Sequence, residues 1–84
     1  MSRYNLDIVS PLDTVYTGQV EFITVPGTEG QLGILDRHAS LLTSLTAGKV
    51  RIFEKKDTLS RQIDIQGGFM EITDQGVILL VKVK

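Results

Sequence analysis

Eighty-four residues with no cysteine and 42% apolar content make one small domain, residues 1–84, whose core forms without a disulfide staple or a thiolate metal site. A net charge of −1 and a pI near 5.7 provide no general attraction for phosphate backbones or anionic lipid, which disfavours nucleic acid as a partner. The polar start, Met1 to Asn5, lacks the pattern of a secretory leader, and no apolar run approaches the roughly 20 residues that span a bilayer, so the expectation is a soluble chain.

Alternation dominates from the start. Tyr4, Leu6 and Ile8 share one side of a first strand, with Asn5, Asp7 and Val9 on the other, before Pro11 interrupts the pattern. Val15 and Tyr16 read as a short extended piece closed by Gly18. Gln19 to Val25 follows as a β-prone run with apolar groups on both faces, which predicts burial on both sides. Gly27, Gly30 and Gly33, in the run Val25 to Leu42, are free to enter φ > 0, which predicts a sharp, shaped loop between two apolar runs, the second resuming with Leu32, Ile34 and Leu35. The next stretch is ambiguous, because Ile34, Leu35, His38, Leu41, Leu42 and Leu45 also fit a helical period with Asp36 near an N-cap. Thr43 and Thr46 are weak helix formers in all-β surroundings, which favours a turn at Asp36 to Ser40 and a strand near Leu41 to Leu45. Val50 and Ile52 alternate with Lys49 and Arg51. The polar Lys55-Lys56-Asp57 then predicts a hairpin leading into Leu59 to Ile65. Gly67-Gly68 ends that run, Phe69 to Ile72 is next, and after the turn Asp74-Gln75-Gly76 comes a final strand from Val77 to Val83. Many short strands separated by turns predict an all-β sandwich or small barrel.

Residues suited to chemistry are sparse. A metal site needs several converging ligands, and His38 has only Asp36 nearby, so it reads as a loop or interface residue. No serine sits in a G-x-S-x-G elbow, and the acidic residues are scattered without an acid–base pair. The glycine loop follows neither the G-x-G-x-x-G nor the Walker pattern. Its Gly27-Thr28-Glu29-Gly30 has the spacing of a KH clamp, but Glu29 would repel a phosphate backbone. Gly67-Gly68 reads as a bulge or bend, Lys55-Lys56 as a solubilising hairpin tip, and Lys82 and Lys84 as guards of an exposed edge. The expectation is no catalytic residue, no cofactor, no metal and no small-molecule substrate.

Several marks occur together in order: Leu6-Asp7-Ile8-Val9-Ser10-Pro11, Gly18, Pro26-Gly27-Thr28-Glu29-Gly30, Gly33-Ile34-Leu35, His38, Leu41-Leu42-Thr43, Gly48 with Val50-Arg51-Ile52, and Gly67-Gly68-Phe69 with Glu71. In this combination the chain resembles the epsilon-subunit family of the F-type ATP synthase along nearly its whole length. The resemblance implies a flattened sandwich of about ten short strands, each layer burying its inward side chains against the other. It also implies a noncatalytic central-stalk subunit that binds gamma and seats the rotor on the c-ring of a proton- or sodium-translocating ATP synthase. Such a subunit is a peripheral membrane protein on the cytoplasmic side of a bacterial inner membrane. By carry-over, Thr28, Glu29, Gly30 and Gln31 face the c-ring, while His38, Leu41, Leu42 and Thr43 lie at the gamma contact. Gln31 is often acidic in relatives. A loaded joint of this kind implies more than about 1,200 Å² buried across the stable partner interfaces. Val81-Lys82-Val83-Lys84 completes a strand instead of leading into the family's C-terminal helical hairpin, so the expectation is a short form without that hairpin. Other readings are an unrelated β-sandwich adaptor and, less well supported by five aromatics and an acidic pI, an oligonucleotide-binding barrel.

Overall fold

A computed structural model of the chain describes residues 3–35 and 40–84. Its strands are β1 (Tyr4–Val9), β2 (Thr14–Val20), β3 (Phe22–Gly27), β4 (Gly30–Ile34), β5 (Leu41–Leu45), β6 (Gly48–Phe53), β7 (Arg61–Thr73) and β8 (Gly76–Val83). The all-β expectation holds, with eight strands among the described residues instead of about ten. His38 and most of the turn expected at Asp36 to Ser40 fall outside the described residues, whereas the strand expected near Leu41 to Leu45 is β5.

The strands make two layers around one core. β2-β1-β8 continues into the second half of β7 and then β5, while the first half of β7 joins β6, β3 and β4. β1 is antiparallel to β2 and parallel to β8. Leu6, Ile8, Met70 and Leu79 from the first layer and Ile23, Val25, Val50, Ile52 and Ile65 from the second are fully enclosed in one cluster. Each fully buried aliphatic side chain of this kind contributes about 1.5–3 kcal/mol relative to an exposed one. The Tyr4 hydroxyl spans the layers and donates to the Ile34 carbonyl oxygen at 2.6 Å, so the largest side chain of β1 is buried without an unmet polar group.

Two corners carry the chain between layers, and both change which residue parity points inward. Along β2 and β3, Tyr16 and Val20 are buried, but after Glu21 it is Ile23 and Val25. The run Gln19 to Val25 therefore shows apolar residues on both faces because it turns a corner, not because one strand is covered on both sides. Gly18 does not end β2. A β-carbon there would stand 3.0 Å from the Tyr16 hydroxyl oxygen, so glycine leaves room for that ring. The second corner lies inside β7. Ile63 and Ile65 are buried before it and Met70 and Ile72 after it, with the register against β8 shifting by one residue between Ile65 and Gly67. Gly67 and Gly68 adopt φ of 152° and 151° there. The bulge or bend expected at the glycine pair is there, but it bends one continuous strand and does not end it.

Candidate functional site

The glycine loop is a tight hairpin. β3 and β4 pair from Ile23–Ile34 up to Gly27–Gly30, leaving Thr28 and Glu29 as the exposed turn, and Gly30 carries the positive φ of 126° that closes it. Of the three glycines expected to use left-handed space, only Gly30 does so. Gly27 is needed for closeness, since a β-carbon there would stand 2.7 Å from the Gly30 carbonyl oxygen, and Gly33 lies beneath the Phe22 ring. The base of the hairpin is fixed by the Thr46 N–H, which donates to the Pro26 carbonyl oxygen at 2.8 Å, and by the seating of the Pro26 ring over Gly48. The proposed c-ring set, Thr28, Glu29, Gly30 and Gln31, is thus brought together as one exposed tip. Lys49 and Arg51 line a shallow depression beside it. The first is engaged by the Asp64 carboxylate at 2.7 Å and the second donates to the Gln62 side-chain oxygen at 3.0 Å. The Lys49 ammonium, through its hydrogen bond and its charge, holds the Asp64 carboxyl below the ordinary carboxylate range.

The other expected set is divided. Leu42 lies opposite Glu71 and points outward from the first layer, 69% exposed. Leu41 and Thr43 lie opposite the buried Ile72 and Met70, on the side of β5 away from Leu42, with Thr43 half-buried and Leu41 still 44% exposed. His38 is outside the described residues. Gly27 bridges Leu45, so the hairpin tip and Leu42 are neighbouring surfaces, separated along β5 by three residues or about 10 Å.

More of the outer face is apolar than the sequence reading picked out. Phe69 pairs with Leu80 and Leu80 with Val9, forming an outward row across β7, β8 and β1 in which Phe69 and Leu80 are 53% and 54% exposed. The signal was present in Val77 to Val83, where Ile78 and Leu80 break the alternation expected of a strand with one wet face. At the opposite edge, the Tyr16 hydroxyl donates to a Glu54 carboxylate oxygen at 2.6 Å, and the Arg61 guanidinium lies 5.9 Å from the Tyr16 ring centre. Burial, then the Glu54 hydrogen bond and charge, push the Tyr16 phenol up to about 12. This cluster pins β2 to the end of β6.

The model of the ATP synthase delta/epsilon chain β-sandwich domain matches residues 3–83 of this chain. The chain belongs to that family. It is 44% identical over 75 residues to the ATP synthase epsilon chain of Pelotomaculum thermopropionicum, an alignment covering 89% of this chain and 54% of that one. It is 33% identical over 82 residues to the epsilon chain of Caulobacter vibrioides, covering 98% of this chain and 93% of that relative. The chain thus spans little more than half the length of the Pelotomaculum relative and nearly all of the Caulobacter one. Among solved structures, a chain of the Euglena gracilis mitochondrial ATP synthase, determined as an OSCP/F1/c-ring assembly, superposes with a TM-score of 0.81 at 21% identity, covering 99% of this chain and 51% of that one. A chain of the Tetrahymena thermophila mitochondrial ATP synthase central stalk and c-ring gives 0.76 at 21% identity, with 96% and 64% covered. These two share the family's β-sandwich fold, and membership of the family removes the unrelated adaptor.

Proposed function

We propose that this chain is a noncatalytic central-stalk subunit of a proton- or sodium-translocating F-type ATP synthase, binding gamma and seating the stalk on the c-ring while the catalytic sites lie on other chains. The observation that carries this reading is the family match over residues 3–83, joined to an exposed hairpin tip and an exposed apolar outer face on one small rigid sandwich. Thr28, Glu29, Gly30 and Gln31 form the c-ring contact. His38, Leu41, Leu42 and Thr43 form the gamma contact, to which Leu42 contributes from the outer face. The setting is the cytoplasmic side of a bacterial inner membrane, reached through the complex. Bacterial relatives support that location, and among the described residues no helix is long and apolar enough to cross a membrane.

No chemistry is asked of the chain in this role. The requirement is a shape that keeps its form under torque, for which a hydrogen-bonded sandwich with a continuous apolar core is suited. The test is copurification from native membranes with gamma, combined with single-cysteine crosslinking. Gln31→Cys is expected to join c, and Leu42→Cys or His38→Cys to join gamma. A folded chain that never associates with gamma under assembly conditions would refute the reading.

A further inference from the structure

The outer face of the second layer is rich in hydrogen-bond donors beside the hairpin tip. Pairing of β3 with β6 sets Arg51 opposite Thr24, and pairing of β6 with β7 sets Lys49 opposite Asp64 and Arg51 opposite Gln62. Lys49 and Arg51 are two residues apart on one strand, so both side chains leave the same face, about 7 Å from each other. They line a depression of ≈ 350 Å³ whose other walls include Pro26, Gly30, Gln31 and Thr46.

Donors outnumber acceptors in this depression. Arg51 is half-buried and donates through Nε to the Gln62 side-chain oxygen at 3.0 Å, while no carboxylate lies within ion-pair distance of it among the described residues. The four N–H groups at the end of its guanidinium have no acceptor among those residues. Lys49 spends one of its three donors on the Asp64 carboxylate at 2.7 Å. Thr24, directly across from Arg51, has a buried hydroxyl with no hydrogen-bond partner. Gln62 and Asp64, the acceptors opposite the two cations, are the ones already engaged. A guanidinium fork left unspent next to a second cation matches a ligand that only accepts hydrogen bonds, and a phosphate meets such a fork with two oxygens at once.

The chain as a whole carries a net charge of −1 and exerts no long-range pull on an anionic surface. The site therefore acts on an anion already brought within about 8–10 Å, the screening length near physiological ionic strength. On the central-stalk reading the hairpin tip supplies that proximity. Gly30 and Gln31 wall the depression and belong to the tip assigned to the c-ring, a ring embedded in the membrane.

We infer that this depression seats the phosphate of an anionic phospholipid headgroup beside the c-ring, the Arg51 fork taking two phosphate oxygens and the Lys49 ammonium supplying a further contact. The inference rests on the central-stalk reading for its membrane setting, whereas the site itself is a property of the isolated chain.

The experiment follows the backbone amide resonances of the nitrogen-15-labelled chain as dihexanoylphosphatidylglycerol is added below its micelle-forming concentration, with dihexanoylphosphatidylcholine and inorganic phosphate as parallel arms. Saturable shifts are expected at Gln31, Thr46, Lys49 and Arg51 with phosphatidylglycerol, at a Kd on the order of 1 mM. Arg51→Gln is expected to weaken binding by about tenfold and Lys49→Gln by about threefold. Lys55→Gln, on the turn at the far end of β6, is expected to leave it unchanged. Signal dispersion identifies a variant that loses its fold, and Arg51→Lys, which keeps the charge and removes the fork, then takes its place and is also expected to bind more weakly than wild type. Absence of saturable shifts with phosphatidylglycerol, or shifts that survive in the Arg51→Gln/Lys49→Gln double variant, overturns the inference. An equal response to phosphatidylcholine overturns its charge basis, and an equal response to inorganic phosphate assigns the site to free phosphate and removes the lipid. None of these results bears on association with gamma, which tests the central-stalk reading separately. A chain that binds phosphatidylglycerol at this site but never joins gamma refutes that reading and takes the membrane setting of the inference with it.

Discussion

Single residues set the two geometries on which the surfaces depend. Gly30 and Gly68 both adopt positive φ, but a β-carbon at Gly30 meets nothing within 4 Å, while one at Gly68 would overlap the carbonyl oxygen of Leu80. Gly30→Ala is therefore expected to cost only the backbone strain, about 1–2 kcal/mol, and Gly68→Ala about 3 kcal/mol or more, because β8 must also move. Urea denaturation of the two variants checks the order, and equal losses would contradict it. Tyr16 gives the molecule an alkaline limit. The unfolded phenol ionises near its ordinary value of 10, while in the fold it stays protonated up to about 12. Its contribution is complete below pH 10 and declines as pH rises from there to about 12. Tyr16→Phe is expected to cost about 1 kcal/mol at neutral pH through loss of the Glu54 hydrogen bond and to flatten that alkaline decline, which melting at a series of pH values reports.

At the scale of elements, β5 shows how one strand serves both core and surface. Leu45 is buried, with only 5% exposure, whereas Leu42 stands 69% exposed three residues away on the opposite side. Leu45→Ala is expected to destabilise by about 2–4 kcal/mol, and Leu42→Ser to change stability by less than about 0.5 kcal/mol while weakening the gamma contact. Chemical denaturation and gamma binding measured on the same two variants separate the effects. Strand existence was legible in the sequence because alternation is a local property: Leu6 and Ile8, Val50 and Ile52, and Val77, Leu79 and Val81 all point inward as their spacing requires. Strand continuity was not. A two-layer fold made from long strands must turn corners, and at Glu21 and Gly67-Gly68 the inward parity switches, so one bent element reads as two or two elements read as one. The division of Leu41, Leu42 and Thr43 between faces was likewise hidden, since only the pairing of β5 with β7 decides which of them is outward.

For the molecule as a whole, the proposed function follows from the placement of two neighbouring surfaces on one small body. The hairpin tip was readable in advance because its turn is specified by adjacent residues, Gly27 to Gln31. The apolar outer face was not, because Val9, Phe69 and Leu80 are distant in sequence and meet only through the parallel pairing of β1 with β8 and the antiparallel pairing of β8 with β7. Bridging of Gly27 to Leu45 ties the tip through the backbone to the strand that carries Leu42. Simultaneous engagement of gamma and c by a single copy is the decisive consequence. It is measured most directly with a Gln31→Cys/Leu42→Cys double variant assembled into native membranes and treated with a short thiol-to-amine crosslinker. The account predicts a ternary product containing this chain, gamma and c. Both single products appearing only in separate complexes, or neither appearing in a fully assembled synthase, would contradict it.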